Sequence, residues 1–371
     1  MPDSRRTSAS VFPAHRFLAC VRYVALFGLL WLNVGGSLCV ARETAPLPLA
    51  PHSPARAAST AKHPSSAKHR TAAKPRRRAV HKRKRVAHAE RPMHVARLGS
   101  RSGRQAARVV RQPHLLARCG YTRRSRALLR SKAIYVVDER TQTVLTAKQA
   151  DRVLPIASIS KLMTAVVSLD AKRPLNAPLD VTPQDRDFDK FTGSRLSVGS
   201  RLSRHDMLHI ALMSSENRAA AALSRDYAGG RPGFVAAMNA KARALGMRHT
   251  HFVNGTGLSP QNVSTARDLS LLVAAASRYP LIRAYSTDRS QVVWPGHGSL
   301  SYHNSDALVR AGDSAIVLQK TGFINEAGHC VVMRMLVHGR PIDIVVLGAP
   351  GPRDHIADVV RISRWLRCSL K

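Results

Sequence analysis

Two residues three positions apart provide the clearest chemical signal in the sequence. Ser158 and Lys161 begin a stretch with helical spacing of apolar residues, so both side chains should lie on one face of a helix, one turn apart. At a helix N-terminus the backbone dipole favours an alkoxide and disfavours an ammonium group, which helps a lysine act as base toward a serine. The spacing alone is a weak signal, because it also occurs by chance in the polar region upstream, for example at Ser59 and Lys62.

Two further motifs follow in the chain and contain groups suited to the same chemistry. Ser215-Glu216-Asn217 lies between two predicted helices, where a hydroxyl and an amide can face a cleft. Lys320-Thr321-Gly322 is predicted to end a strand, where it offers a second positive charge, a hydroxyl, and room for a substrate backbone beside the glycine. Taken singly, these residues are explained as a helix cap, a turn residue and a surface lysine. In this order, and on these elements, they fit the motif set of penicillin-recognising enzymes.

The stretch from about Lys132 to Leu366 resembles the low-molecular-mass penicillin-binding proteins, and most closely their D-alanyl-D-alanine endopeptidase branch. The resemblance covers about two-thirds of the chain and is specific, because three ordered motifs stand in the predicted context. The blocks that support it are Ala157-Ser158-Ile159-Ser160-Lys161-Leu162-Met163-Thr164-Ala165, Leu212-Met213-Ser214-Ser215-Glu216-Asn217-Arg218-Ala219-Ala220, Val263-Ser264-Thr265-Ala266-Arg267-Asp268-Leu269, Lys320-Thr321-Gly322-Phe323 and Ala327-Gly328-His329-Cys330.

The resemblance implies a role for each motif residue. Ser158 would attack the carbonyl of a D-alanyl peptide bond in peptidoglycan to give an acyl-enzyme, which water then hydrolyses. Lys161, its pKa lowered by Lys320 and by burial, would accept the serine proton, and Ser215 would relay a proton to the leaving amine. The substrate-binding residues would be Asn217, Lys320, Thr321, Gly322 and Phe323. The backbone N–H groups of Ser158 and Phe323 would form the oxyanion hole. β-Lactams would acylate Ser158 as substrate mimics, and the chemistry involves neither a metal nor a cofactor.

The elements that must position these residues are readable from periodicity. Strands are predicted over Lys132–Val137, Thr143–Ala147, Ser314–Lys320, Cys330–Val337 and Pro341–Leu347. Helices are predicted over Ser158–Asp170, Arg204–Met213, Glu216–Tyr227, Pro232–Leu245 and about Asp354–Cys368. Ser203 with Asp206, and Thr265 with Asp268, have the spacing of capping boxes. We therefore expect an α/β fold of the α+β type: a five-stranded antiparallel sheet flanked by helices, with an inserted helical subdomain, as in β-lactamases and transpeptidases.

Three other classes fit the sequence less well. The commonest β-lactamases need a glutamate to activate the deacylating water, and no glutamate occurs between Arg218 and Gln319. An inactive wall-binding module is disfavoured because no motif residue is replaced. A zinc peptidase is disfavoured because His205 and His209, four apart on a predicted helix, are not part of an HExxH motif; we expect these histidines to be surface or partly buried residues.

The choice between endopeptidase and carboxypeptidase rests on the family's architecture. Carboxypeptidase relatives usually carry a further β-rich domain and a C-terminal amphipathic anchor, whereas this sequence stops at Lys371, directly after the last predicted helix. We therefore expect cleavage of peptide cross-links, with removal of terminal D-alanine as the alternative.

Positive charge is concentrated before the predicted domain, which we assign to residues 131–371. The 371-residue chain has a net charge of +37, and residues 42–130 contain 24 basic and 2 acidic side chains, with Tyr121 as the only aromatic. Such a segment buries too little apolar surface to offset chain entropy, so we expect it to be disordered. Without interleaved aromatic residues to stack on bases, its expected partners are acidic envelope polymers or lipid head groups and no specific nucleic acid.

Residues 1–41 have the pattern of a signal peptide. Four arginines precede an apolar run over Tyr23–Leu32, and Cys39-Val40-Ala41 supplies small residues for a cleavage site. The run is shorter than the roughly 20 residues that span a bilayer, so we expect cleavage and a periplasmic location. Three cysteines would then remain, namely Cys119, Cys330 and Cys368. Two arrangements of these cysteines stay open. In one, two of them form a disulfide, of unknown pairing, and the third is a free thiol; in the other, all three are unpaired and Cys330 is buried in a strand.

Overall fold

The computed structural model describes residues 112–371, and these residues form helices on both faces of a sheet. The strands are β1 Ala133–Asp138, β2 Thr143–Lys148, β3 Leu154–Pro155, β4 Pro178–Asp180, β5 Arg201–Ser203, β6 Val263–Ser264, β7 Ser290–Val293, β8 Leu300–His303, β9 Ile316–Ile324, β10 Gly328–Val337 and β11 Arg340–Ala349. The helices are α1 Arg123–Ala127, α2 Ser160–Asp170, α3 Arg204–Met213, α4 Asn217–Arg225, α5 Gly230–Ala244, α6 Ala266–Ala276, α7 Pro280–Thr287, α8 Ala307–Arg310 and α9 Asp354–Ser369.

The main sheet has five strands in the order β2-β1-β11-β10-β9, and each neighbouring pair is antiparallel. The first hairpin therefore joins the last three strands, so the predicted fold class is confirmed. Strand β9 lies at one edge of the sheet. An edge strand has backbone groups free to pair with an added peptide.

Both faces of the sheet are buried, and successive side chains of a strand point to opposite faces. Tyr135 and Val137 of β1 therefore belong to one core, which includes the apolar residues of α2 and α6. Ile134 and Val136 belong to the other core, which α9 covers. A strand with two buried faces reads as a continuous apolar run, as β1 does.

The helical subdomain follows the predicted boundaries closely. Helix α3 begins after Ser203, whose hydroxyl accepts from the amide of Asp206; the second half of the predicted capping box is not formed, because the Asp206 carboxylate accepts from the Ser203 hydroxyl and not from its amide. Thr265 caps α6 in the same way. The carboxylate of Asp268, however, accepts from the amide of His249 and not from the cap residue, so the second half of that predicted box is replaced by a tertiary contact.

The prediction that residues 42–130 are disordered is wrong for residues 112–130. These residues contain a 3₁₀ turn at Ala117–Cys119 and helix α1, and Leu115 and Leu129 are buried in the core beneath α9. A disulfide joins Cys119 to Cys368 and leaves Cys330 as a buried free thiol. The prediction used the composition of the whole basic segment, and in that average the few residues that attach 112–130 to the core could not be recognised. Residues 42–111 of the segment, and the predicted signal peptide, lie outside the described residues.

The prediction that Lys320-Thr321-Gly322 ends a strand is also wrong. Strand β9 continues to Ile324 because Lys320 to Phe323 pair in register with Val332 to His329 of β10. The motif therefore lies within a paired strand, which fixes its backbone on one side. Among residues 112–371, none of the helices is long and apolar enough to cross a membrane.

Candidate active site

Ser158 is held in a tight turn just before α2. The turn is a 3₁₀ helix over Ala157–Ile159, and Ala157 has a left-handed φ of 49°, a strained conformation for a residue with a Cβ. The hydroxyl of Ser160 donates to the carbonyl oxygen of Ala157 and accepts from Asn262. Ser160 is thus fully engaged in structure, whereas Ser158 lines a cleft.

Lys161 lies beneath Ser158 with its amine completely surrounded by protein. Its Nζ is 2.8 Å from Oγ of Ser158, 2.8 Å from Oδ1 of Asn217 and 2.7 Å from the carbonyl oxygen of Thr256. A neutral amine matches this arrangement, since it can donate to the amide and carbonyl oxygens and accept from the serine hydroxyl. The spacing predicted from the sequence therefore produces a direct serine–lysine contact.

Burial lowers the pKa of Lys161 to about 7, although the charges of Glu216 and Asp187 oppose that shift. The expectation that Lys320 also lowers it is not met. Burial and the charge of Lys161 lower the pKa of Lys320 well below the usual lysine range. The repulsion between the two amines therefore acts on Lys320, and no charge of Lys320 contributes to the shift at Lys161.

The second motif forms a strained turn between α3 and α4. Ser215 has a left-handed φ of 65°, and its side chain faces the same cleft as Ser158. Glu216 caps α4: its carboxylate accepts from the amide of Arg218 and from the hydroxyl of Ser194. This cap fixes the first residue of α4, Asn217, beside Lys161.

A loop that the motifs do not include holds the other side of Asn217. Asn217 Nδ2 donates to Oγ1 of Thr192 at 3.0 Å, and that hydroxyl donates to Asp187 at 2.8 Å. Partial burial raises the pKa of Asp187, but hydrogen bonds from Thr192, Lys190 and Asp189 outweigh it and the net pKa is lowered. Asp187 is therefore an ionised anchor at the end of a hydrogen-bonded chain that reaches Ser158.

The third motif lies opposite on β9. Thr321 donates to the hydroxyl of Ser305 at 2.6 Å, and both residues line the cleft. The amine of Lys320 is buried and donates to the carbonyl oxygen of Thr321 at 2.7 Å. Its neighbour Asp306 is also buried, and burial raises the pKa of that carboxyl. A substrate carboxylate at Thr321 and Ser305 would favour the charged form of Lys320, so substrate binding and protonation of this lysine are coupled.

Two glycines allow the three segments to meet. A Cβ at Gly322 would lie 3.0 Å from the amide nitrogen of Ser158, so β9 passes directly against the serine turn. Gly257 has a φ of 80°, and a Cβ there would overlap the carbonyl oxygen of Ala157. Backbone therefore packs on backbone around the serine, as a glycine permits.

The cleft between these segments has a volume of about 390 Å³. Its lining includes Ser158, Ser215, Asn217, Thr321, Gly322 and Phe323, while Lys161 and Lys320 lie beneath it. The structure thus brings all the residues predicted from the three motifs together. A hydroxyl on a low-pKa amine, beside a second hydroxyl and an edge strand, is equipped for acyl transfer to serine.

Several residues that complete the site were missed by sequence reasoning. They are Asp187, Thr192, Thr256, Gly257, Asn262 and Ser305. The only sign of them in the sequence was the Asn-Gly-Thr-Gly turn at 254–257. Its contact with Lys161, which lies 95 residues away, cannot be predicted from local spacing. The expectation that His209 is a surface or partly buried residue is wrong, because its ring is buried and stacks on Tyr285. Within residues 112–371 there is no group of three side chains suited to a metal ion.

Comparison with known proteins places these features in a group of enzymes. The family model described as D-alanyl-D-alanine carboxypeptidase matches residues 121–351. A D-alanyl-D-alanine endopeptidase of Pseudomonas aeruginosa is 49% identical over 240 residues, which are 64% of this chain and 77% of the relative. A D-alanyl-D-alanine endopeptidase of Escherichia coli is 46% identical over 247 residues, which are 66% of this chain and 80% of the relative.

A solved structure shares the fold. The Streptomyces K15 DD-transpeptidase superposes with a TM-score of 0.60 at 24% sequence identity. The match covers 64% of this chain and 97% of that chain. At this identity the likeness concerns the fold, and it agrees with the five-stranded antiparallel sheet and its helices.

Proposed function

The chain belongs to the D-alanyl-D-alanine carboxypeptidase family of serine peptidases, and from that premise we propose that it is a D-alanyl-D-alanine endopeptidase that cleaves peptide cross-links in peptidoglycan. The observation that carries the proposal is the contact of 2.8 Å between Nζ of Lys161 and Oγ of Ser158, in a cleft bordered by an edge strand. The two relatives named D-alanyl-D-alanine endopeptidase support the choice of reaction.

The geometry suits a two-step acyl transfer. Neutral Lys161 takes the hydroxyl proton of Ser158 as Oγ bonds to the carbonyl carbon of the D-alanyl bond. The carbonyl oxygen becomes an oxyanion, which the amides of Ser158 and Phe323 would stabilise. The proton held by Lys161 then passes through Ser215 to the leaving amine as the C–N bond breaks. Water hydrolyses the ester, and its proton returns the serine to its starting form.

The substrate is proposed to bind as an added strand along β9. Its carboxylate, or the equivalent group of the leaving peptide, would lie at Thr321 and Ser305, near the buried amine of Lys320. The amide of Asn217 would hold the acyl side while its oxygen accepts from Lys161. β-Lactams would occupy the same cleft and acylate Ser158.

Removal of terminal D-alanine is the second candidate, because the family description itself names a carboxypeptidase. Both reactions share the acylation step and differ only in the leaving group. The test is to incubate the purified enzyme with cross-linked muropeptides and with uncross-linked pentapeptides, and to identify products by mass. Cleavage of the cross-linked substrate is expected; loss of D-alanine alone would support the carboxypeptidase instead.

We further propose that the enzyme works in the periplasm, with its basic segment touching acidic envelope polymers. The signal-peptide pattern of residues 1–41 supports export, and the disulfide between Cys119 and Cys368 is compatible with an oxidising compartment. A fusion of residues 1–60 to a reporter that is active only after export tests the location. A reporter that stays in the cytoplasm would contradict it.

A further inference from the structure

Three stacked rings form one wall of the cleft, and the mechanism above does not use them. Phe323 on β9 stacks on His329 of β10 with ring centroids 4.2 Å apart and planes 21° apart. His329 in turn stacks on His355 near the start of α9, at 5.3 Å and 14°. All three residues line the cleft that contains Ser158. We call Phe323, His329 and His355 the ring wall.

The position of the ring wall along β9 indicates which part of a peptide it would meet. Thr321 and Ser305 mark the end of the cleft that would hold the substrate carboxylate. The reacting carbonyl lies near Ser158, against Gly322. Phe323 comes next along the strand, on the side away from the carboxylate. A peptide paired along β9 therefore passes the ring wall with the residues that precede the scissile bond.

The ring wall combines an exposed apolar face with a polar group. Phe323, near the end of the edge strand β9, is 51% exposed and so presents a large apolar surface at the cleft. His355 is 8% exposed, and its Nδ1 is buried with no hydrogen-bond partner among the described residues. Its Nε2 is not buried in this way. Burying Nδ1 without a hydrogen-bond partner costs less free energy when it carries a lone pair than when it carries an N–H group. We therefore assign the proton of the neutral ring to Nε2.

The protonation state agrees with this tautomer. Burial, reinforced by the charge of His329, lowers the pKa of His355 to about 4. The pKa of His329 is also lowered by burial. Both rings are therefore neutral near pH 7, and His355 presents an Nε2–H donor at the cleft. A neutral donor suits a carbonyl or carboxylate oxygen of a peptide.

We propose that the ring wall is a binding subsite for the substrate residue immediately before the D-alanine of the scissile bond. The free face of Phe323 and the edge of His329 pack on the aliphatic part of that residue, and His355 donates from Nε2 to an oxygen of its side chain. This inference rests on the proposed function and assigns it a specificity determinant.

The test compares two peptides that differ only in the residue concerned. The first is diacetyl-L-lysyl-D-alanyl-D-alanine, whose side chain ends in an acetyl carbonyl, and the second is acetyl-D-alanyl-D-alanine, which lacks that residue. His355→Phe keeps the ring and its stacking but removes the donor. We expect kcat/KM to fall about tenfold for the longer peptide, the effect of losing one hydrogen bond, and to change by less than about twofold for the shorter one.

Two further variants distinguish binding from folding. His355→Gln places an amide N–H near the position of Nε2 and should restore most of the lost kcat/KM. His297→Phe, at an exposed position outside the cleft, should change neither value. Melting temperatures of all variants show whether the fold is retained.

The outcomes separate the subsite from the proposed function. An equal fall for both peptides in His355→Phe, or no fall for either, would overturn the subsite while the enzyme still cleaves D-alanyl-D-alanine. Failure of the unchanged protein to cleave cross-linked muropeptides, or to take a penicillin label on Ser158, would overturn the proposed function and this inference with it; failure to cleave the two test peptides alone would overturn only this inference.

Discussion

At the level of single residues, the character of the site is set by how deeply Lys161 is buried. Its side chain is 1% exposed, and three oxygens lie within hydrogen-bond distance of the amine. Desolvation disfavours the ammonium form, while Glu216 and Asp187 favour it. The balance leaves a pKa of about 7, where a general base is most effective.

Replacing Lys161 by arginine tests whether this residue must lose a proton. Arginine keeps a positive charge but is not deprotonated near neutral pH. We expect Lys161→Arg to lower the rate of labelling by a fluorescent penicillin at least about a hundredfold, the usual contribution of a general base. Lys172→Arg, at an exposed position, serves as the control. Labelling of Lys161→Arg at a rate near that of the unchanged protein would mean that charge alone suffices.

The pH dependence of acylation provides an independent test. Because the pKa of Lys161 is lowered to about 7, the neutral base becomes more abundant as pH rises. The acylation rate should therefore rise about tenfold per unit below that value and level off above it. Stopped-flow acylation between pH 5 and pH 9, about two units on either side, measures the profile. A rate that is constant across this range would contradict the assignment.

Glu216 allows the midpoint of that profile to be moved. Its charge raises the pKa of Lys161, while one of its oxygens accepts from Ser194 and from the amide of Arg218. Glu216→Gln keeps an acceptor oxygen but removes the charge, so the midpoint should shift to lower pH. An unchanged or higher midpoint in a variant that still folds would show that this charge does not act on Lys161.

At the level of elements, the site depends on how closely two loops approach the turn that carries Ser158. The strained φ of Ala157 is held by Ser160, which is itself fixed by Asn262. Gly257 packs its backbone against the same turn. The serine is therefore positioned by neighbouring backbone, and loss of one contact should move it.

Two glycine variants separate steric overlap from backbone strain. Gly257 and Gly246 have φ values of 80° and 78°, but only a Cβ at Gly257 meets other atoms within 4 Å. Alanine at either position should cost about 1–2 kcal/mol for the left-handed conformation. We expect Gly257→Ala to lose further stability and most acylation, whereas Gly246→Ala acylates normally. Penicillin labelling and urea unfolding measure both effects; equal acylation by the two variants would contradict the argument.

At the level of the whole molecule, the two ends of the described region are joined. The disulfide between Cys119 and Cys368 spans 249 residues of sequence, and Tyr121 packs edge-on against Trp365 of α9 at 5.2 Å. Both contacts attach residues 112–130 to the face of the sheet opposite α2. This attachment is structural, since the residues of the cleft lie between Ser158 and His355.

Truncation should therefore affect stability and activity differently. A protein that begins at Gln112 should cleave soluble muropeptides at about the rate of the full chain. A protein that begins at Ser131 loses the disulfide and two buried leucines, and its free energy of unfolding should fall by at least about 2 kcal/mol. Unfolding curves of both forms provide the measurement. Equal stability of the two forms would mean that residues 112–130 add nothing to the fold.

The same truncation tests the basic segment. Full-length protein should sediment with isolated cell-wall sacculi more than the form that begins at Gln112, and added salt should weaken that binding, since exposed charges are screened beyond about 8 Å at physiological ionic strength. The chemistry should not change. Equal sedimentation of the two forms at low salt would remove the proposed contact with acidic polymers.

The sequence by itself determined the three motifs, the strands and helices that hold them, and the family they resemble. Residue spacing within a helix fixes geometry directly, so Ser158 and Lys161 could be paired from the sequence alone. Apolar runs in the terminal strands, with helical patterns between them, predicted the fold class from the order of the elements along the chain.

Tertiary structure decided the features that depend on residues distant in sequence. The acceptor at Thr256, the support from Asp187 and Thr192, and the place of residues 112–130 beneath α9 all result from contacts across many positions. Burial was expected from the resemblance to lower the pKa of Lys161 and does so, but the opposing charges of Glu216 and Asp187 were not readable, because they depend on what packs around the amine. Local periodicity reports which face of an element is apolar, but it does not report which distant loop covers that face.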